Sequence, residues 1–112
     1  MSLKRIITEF GTGNDLHGGD YTKAAVRAVE DAIHHSSLVL IRTLGLNPAA
    51  MQVEVTIGVQ RPEAVAIERV KAALPHGQAA IKIVKGGLDV RDDESGDKAL
   101  VATAAVTVRL DL

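Results

Sequence analysis

Three features of the sequence predict an α+β fold of order β-α-β-α-β-β, with about four strands in a mixed sheet and two helices on one face. The first is the alternation in QVEVTIGVQ, residues 52–60. There Val53, Val55, Ile57 and Val59 fall on one side, and Gln52, Glu54, Thr56, Gly58 and Gln60 on the other. The second is YTKAAVRAVEDAIHHSS, a run of mostly good helix formers with Asp20 in front of it as an N-cap. The third is a pair of strand-like runs, AAIKIVKGGLDV and ALVATAAVTVRLDL, on either side of the turn-rich RDDESGDK. At 112 residues the chain is long enough for one hydrophobic core, so residues 1–112 are read as a single domain.

Taken in order, Leu3 to Phe10 predicts a short, largely buried strand, because Ile6, Ile7 and Phe10 lead into a glycine cluster that ends it as a loop. The first helix is expected from Tyr21 to at least Ser36. Ala25, Ala28, Val29, Ala32 and Ile33 form its apolar stripe, and Lys23, Arg27, Glu30, Asp31 and His34 its polar side. Small side chains on that stripe suit a close approach to a sheet or a second helix. The helix either continues through LVLIRTLG to Gly45 and Asn47–Pro48 or kinks at Ser36–Ser37. After the alternating strand, Arg61-Pro62-Glu63 opens a second helix. Val65, Ile67, Val70 and Leu74 make its apolar side, and Pro75-His76-Gly77 stops it. The last two runs read as an antiparallel hairpin with Gly86–Gly87 as a bulge in its first arm. Glu54, Thr56, Lys82, Thr103, Thr107 and Arg109 then populate the face opposite the helices, a polar surface for solvent or a second subunit.

Composition narrows the function classes. Hydrophobic residues at 46% and charged ones at 24% describe a soluble globular chain rather than a disordered one. Phe10 and Tyr21 are the only aromatics and the formal net charge is −1, so neither stacking rings nor a basic footprint points to nucleic acid. The absence of cysteine removes disulfides and thiolates, leaving His and carboxylates as metal ligands. No apolar run reaches membrane-spanning length and MSLKRIITEF does not read as a secretory signal, so no membrane partner is expected and the expected location is cytoplasmic. Chains of this size often associate, and a homo-oligomer with a pocket near its interface is expected.

The candidate site is GTGNDLHGGD, residues 11–20, with four glycines, two aspartates and a histidine. A phosphate cradle fits poorly. Leu16 stands where a dinucleotide fingerprint needs Gly, the Gly-Lys-Ser/Thr ending of a P-loop is missing, and Asp15 and Asp20 repel an anion. A metal or acid–base site is the second reading. Asp15 and His17, two apart, share a side of an extended chain, Asp20 can close on them, and His34, His35 or His76 supply a further nitrogen. Without metal, His17 oriented by Asp15 is a general base. In the third reading the glycines serve positive φ, Asn14 and Asp15 make side-chain turns, and His17 bonds the loop.

Elsewhere, Glu30–His34 and Asp31–His35 are i,i+4 pairs of the kind that decorate a helix surface, and RDDESGDK lacks the ligand alternation of an EF-hand and reads as a solvated hairpin tip.

Gly11-Thr12-Gly13-Asn14-Asp15-Leu16-His17-Gly18 matches GxGxDxHG, and with DYTKAAVRAVEDAIHHSSL it resembles a small family of conserved hypothetical proteins of bacteria and plants over nearly the whole chain. That resemblance implies no activity, substrate or cofactor, but it favours a functional loop, since a turn alone rarely requires Asp and His together. The element order is similar to bacillary chorismate-mutase-type folds and to the C-terminal domain of tubulin-like proteins. The former hold a dicarboxylate between subunits with cations, for which Arg5, Arg61 or Arg109 are available here without a matching motif. The expected function is a small-molecule or metal site in which Asp15 and His17 carry any catalysis and Gly11, Gly13, Gly18 and Asp20 bind the ligand. The alternative is a structural or protein-interaction module in which the loop supports oligomer assembly.

Overall fold

The computed structural model describes residues 2–34, 45, 50–74 and 78–111. Its elements are β1 (Leu3–Asp15), α1 (Tyr21–His34), β2 (Gln52–Val59), a 3-10 turn (Pro62–Ala64), α2 (Ile67–Ala72), β3 (Gln78–Lys85), β4 (Leu88–Arg91) and β5 (Lys98–Asp111). The α+β class and the mixed sheet hold, with five strands among the described residues rather than four. β5 lies antiparallel between β1 and β2, and β3 runs parallel to β2 at the far edge. α1 lies on β1 and β5, and α2 packs beside α1 and against β3.

The extra strand arises at Gly86–Gly87, which is a crossing rather than a bulge. Gln60 Nε2 donates to the Gly86 and Gly87 carbonyls at 3.0 and 3.3 Å, so β3 leaves the end of β2 there. It resumes as β4 on the same edge of β5. β2 occupies residues 103–109 of that edge and β4 residues 98–101. Gly87 has φ +64°, and a Cβ there would lie 2.2 Å from the Val101 carbonyl oxygen, so the crossing requires glycine.

β1 runs five residues further than the glycine pattern predicts. Gly11, Gly13 and Asp15 are strand residues pairing with Ala104, Ala102 and Leu100, and the connecting loop begins at Leu16. The glycines are there for the helix. A Cβ on Gly11 would stand 2.3 Å from the Ala32 nitrogen and 2.4 Å from the Ala28 oxygen. One on Gly13 would stand 2.2 Å from the Ala24 oxygen and 2.3 Å from the Ala28 nitrogen. The small stripe of α1, with Ala24, Ala25, Ala28 and Ala32 fully buried, therefore rests on bare backbone. Val29 joins Val55, Ile57, Val59, Leu100 and Val108 in the core beside it.

Side chains of α1 also reach over the outer edge of β1. Asp31 Oδ2 accepts the Thr12 N–H at 2.9 Å, and Arg27 Nη1 donates to the Asn14 carbonyl at 2.6 Å, which occupies edge groups that another strand would otherwise pair.

Further differences from the sequence-based expectations arise from these contacts. Phe10, expected in the core, points away from the helices and is 70% exposed, because the parity of β1 gives the buried side to Ile7, Gly11 and Gly13. The second helix divides into the 3-10 turn and α2. Val65 and Val70 are buried as expected, whereas Ile67 is exposed. The path of the first helix beyond His34, with Ser36 and Ser37, lies outside the described residues. So do His35 and the stop at Pro75-His76-Gly77. Among the described residues no helix is long and apolar enough to cross a membrane.

Gly13→Ala is expected to lower unfolding free energy by about 3 kcal/mol, the upper end of overpacking, with Gly13→Val worse. Thr12→Ala, an exposed neighbour in the same strand, is expected to stay within about 0.5 kcal/mol of wild type. Urea midpoints measure the difference, and equal midpoints for the two alanine variants would contradict the helix contact.

Candidate functional site

The motif divides into a buried half and an exposed half. Asp15 closes β1 with 6% of its surface exposed and turns towards α1. Its Oδ2 accepts the Asp20 N–H at 2.7 Å, and Lys23 Nζ stands 4.0 Å from Oδ1. Asp20 is the N-cap that the sequence predicts, since its Oδ1 accepts the Lys23 N–H at 3.0 Å. Between them Gly18 and Gly19 turn the chain with φ of +95° and +63°.

His17 is on the outside of that turn. Its side chain is 84% exposed, and its Nδ1 lies 3.4 Å from Oδ2 of Asp97 at the tip of the β4–β5 hairpin. Asp15 and His17 thus differ in burial and in partner, because the chain leaves the extended conformation after Asp15. Among the described residues no group of three or more His, Asp or Glu is placed to hold a metal ion.

What the loop faces was not evident from the motif. The β4–β5 turn is ordered by Asp92. Its Oδ2 accepts the Ser95 hydroxyl at 2.8 Å, and its Oδ1 the Glu94 N–H at 3.2 Å. The Ser95 bond, then the Glu94 N–H, hold the Asp92 carboxyl below its ordinary pKa. Below the turn, Arg91 and Lys98 are directly opposed across the hairpin and border the same hollow as Gly18 and Gly19.

Lys98 belongs to a cluster joining three elements. Tyr21, first residue of α1 and buried, donates its hydroxyl hydrogen to Asp89 Oδ2 on β4. Lys98 Nζ lies 3.5 Å from the same oxygen and 4.9 Å from the Tyr21 ring centroid. The Tyr21 hydroxyl, as acceptor, is the largest cause of an upward shift in the Lys98 pKa; the charge of Asp89 adds to it, and partial desolvation opposes it.

Two hollows flank the hairpin. One of about 380 Å³ is lined by Gly18, Gly19, Arg91, Gly96, Asp97 and Lys98. The other, about 450 Å³, includes Leu16, His17, Val90, Asp97 and Ala99. Asp97 borders both. Tyr21, Asp89, Arg91, Asp97 and Lys98 are therefore the residues that the glycine-rich motif did not reveal. One signal for them was available, since closing RDDESGDK as a hairpin puts Arg91 opposite Lys98.

Fold and hollow together define a small α+β protein with a polar recess where the end of β1 meets the β4–β5 hairpin. The chain belongs to the family described as conserved hypothetical protein, Lin0512 family, whose profile matches residues 5–108. It is similar to the crystal structure of an FtsZ-like protein of unknown function from Nostoc punctiforme. The two are 39% identical, with a TM-score of 0.86, over 100% of this chain and 99% of that one. This agrees with the tubulin-like topology expected from the element order. No curated protein matches the chain.

Asp15→Ala is expected to cost about 1–3 kcal/mol of stability, because the hydrogen bond from the Asp20 N–H to the buried Asp15 carboxylate is lost, while His17→Ala is expected to stay within about 0.5 kcal/mol. Chemical denaturation separates the two, and a neutral Asp15→Ala would contradict the anchoring role.

Lys98 also sets an alkaline dependence. Its folded pKa lies above the ordinary value of 10.5, so the folded state holds this proton after the unfolded state has released it. Its contribution is full below that pH and is lost as pH rises through the folded value. Lys98→Met is expected to flatten this alkaline fall in the urea midpoint, and an unchanged slope would contradict the linkage.

Proposed function

We propose that this protein binds a small anionic molecule, a carboxylate or phosphate, in the hollow between the Gly18–Gly19 turn and the β4–β5 hairpin. The observation that carries the reading is the cross-strand pair Arg91 and Lys98 bordering that hollow. Like charges directly opposed on a hairpin destabilise it. Asp89 already answers Lys98 at 3.5 Å and Asp97 lines the same hollow, so the cation there that an anion would satisfy is Arg91. Lys98 is held by Tyr21 and Asp89, whereas Arg91 has no ion-pair partner among the described residues and remains available for a bidentate contact. Gly18 and Gly19 let a ligand approach backbone without side chains in the way.

In this reading Asp15 is a positioning residue, tying the turn to the start of α1 through the Asp20 N–H, and Gly11 and Gly13 hold the helix that the turn feeds. His17 lines the neighbouring hollow rather than this one, and reaches the bound anion's surroundings only through Asp97, which borders both. A second reading is favoured by Asp15 alone. Because its carboxylate is satisfied within its own loop, the motif serves assembly and no small ligand is needed.

Calorimetric titration with succinate, inorganic phosphate and pyrophosphate tests the first reading. At about 100 times its Kd a ligand stabilises the fold by about 2.7 kcal/mol, and Arg91→Ala is expected to weaken binding at least about tenfold, the loss of one charge-assisted contact. Absence of binding by all three probes, or equal binding by Arg91→Ala, would leave the assembly reading in its place.

A further inference from the structure

The face of the sheet away from the helices is less polar than its sequence pattern predicts. Glu54, Thr56, Lys82, Thr103, Thr107 and Arg109 are on it, as the alternation requires, and Thr8 and Thr107 join hydroxyls across it at 3.1 Å. Large apolar groups accompany them. Phe10 is paired with Ala105 on the open side, and Leu88 and Val90 with Val101 and Ala99. Phe10, Leu88 and Val90 are 70%, 58% and 54% exposed, and Leu16, just past the end of β1, is 59% exposed. Together these side chains present roughly 400 Å² of apolar surface, the size of the largest apolar patch on a typical monomer, which is often a functional one.

The charges on this face are arranged by end. Arg5 pairs with Arg109 at one end of the β1–β5 ladder, with Asp111 on the same face opposite Leu3; Glu54 answers Arg109 at 3.0 Å, and Arg5 has no ion-pair partner among the described residues. At the other end the hairpin turn carries Asp92, Asp93, Glu94 and Asp97. Between the end that carries Arg5 and the acidic turn lie the threonines and the apolar groups, with the Thr12–Thr103 pair near the middle.

We propose that this face docks a second copy of the same chain about a two-fold axis near Thr12 and Thr103. Reversing the direction of one sheet over the other brings the Arg5 end of each copy to the acidic turn of its partner. It also sets Phe10 and Ala105 over the Leu88 and Val101 row. A self-complementary patch of this kind makes a closed, isologous dimer rather than a fibre. Size agrees as well. About four strand positions at about 4.8 Å spacing and 13 residues at about 3.4 Å give a face of roughly 800 Å², which is about what each partner contributes to a stable interface. Leu16, Val90 and Ala99 also wall the larger hollow beside His17, so the second copy roofs that hollow.

Analytical ultracentrifugation at micromolar concentration tests the proposal on wild type and on Phe10→Glu/Leu88→Glu, whose altered side chains are exposed and leave the core intact. The expected result is a dimeric wild type and a monomeric double variant with an unchanged circular dichroism spectrum, the dissociation constant rising at least about 30-fold, as at a hot spot. A monomeric wild type, a trimer, or a double variant that keeps the wild-type mass overturns it. Orientation is tested separately. Arg5→Glu weakens the dimer, and adding Asp93→Arg restores it; failure of that rescue overturns the two-fold arrangement.

Discussion

The contact between bare backbone and bare backbone, α1 against Gly11 and Gly13 of β1, is the constraint on which the rest of this structure depends. With side-chain atoms absent from the strand and reduced to methyl groups on the helix, the two elements approach closer than an ordinary layer spacing permits. Peptide groups of α1 fill the space that a Cβ would take, to within 2.2–2.4 Å of its ideal position. Such a contact has little tolerance, because packed interiors relax only partly around added volume. It also determines which side of β1 is buried, and hence that Phe10 faces outwards.

From that contact the site geometry follows. With β1 extended to Asp15 and α1 starting at Tyr21, only five residues connect them, and Asp15 and Asp20 close the connection through the Asp20 N–H. Tyr21 then meets Asp89 and Lys98 at the first turn of the helix. One residue on, Thr22 accepts the Ala66 N–H at 2.9 Å, which ties the start of α2 to the same place. Helix, loop and hairpin are therefore held by short polar links around one end of the sheet. Buried groups of this kind are satisfied throughout, since no buried side-chain nitrogen or oxygen among the described residues lacks a partner.

The proposed ligand hollow and the proposed dimer face use opposite sides of the same hairpin. Because side chains alternate along a strand, Arg91 and Lys98 serve one side while Val90 and Ala99 serve the other. A four-residue strand thus carries a charged surface and an apolar one. Its position at the end of β2 is the result of the crossing at Gly86–Gly87, so a backbone irregularity far from the glycine-rich motif places the groups that face it.

By itself the sequence determined the class and order of the elements, because hydrophobic period is local. Val53 to Val59 alternate, Ala25 to Ala32 repeat at helical spacing, and Asp20 caps the helix that begins beside it, all within a few residues. The glycine spacing in Gly11-x-Gly13-x-Asp15 was local too, yet it reads equally as a turn and as a strand with an empty face. Only the helix lying on that face distinguishes them. The split of β3 from β4, the outward turn of Phe10 and the meeting of His17 with Asp97, 80 positions away, were decided by tertiary structure. Each depends on which strand edge or layer is already occupied, and pairing across that distance leaves no periodic trace in either segment.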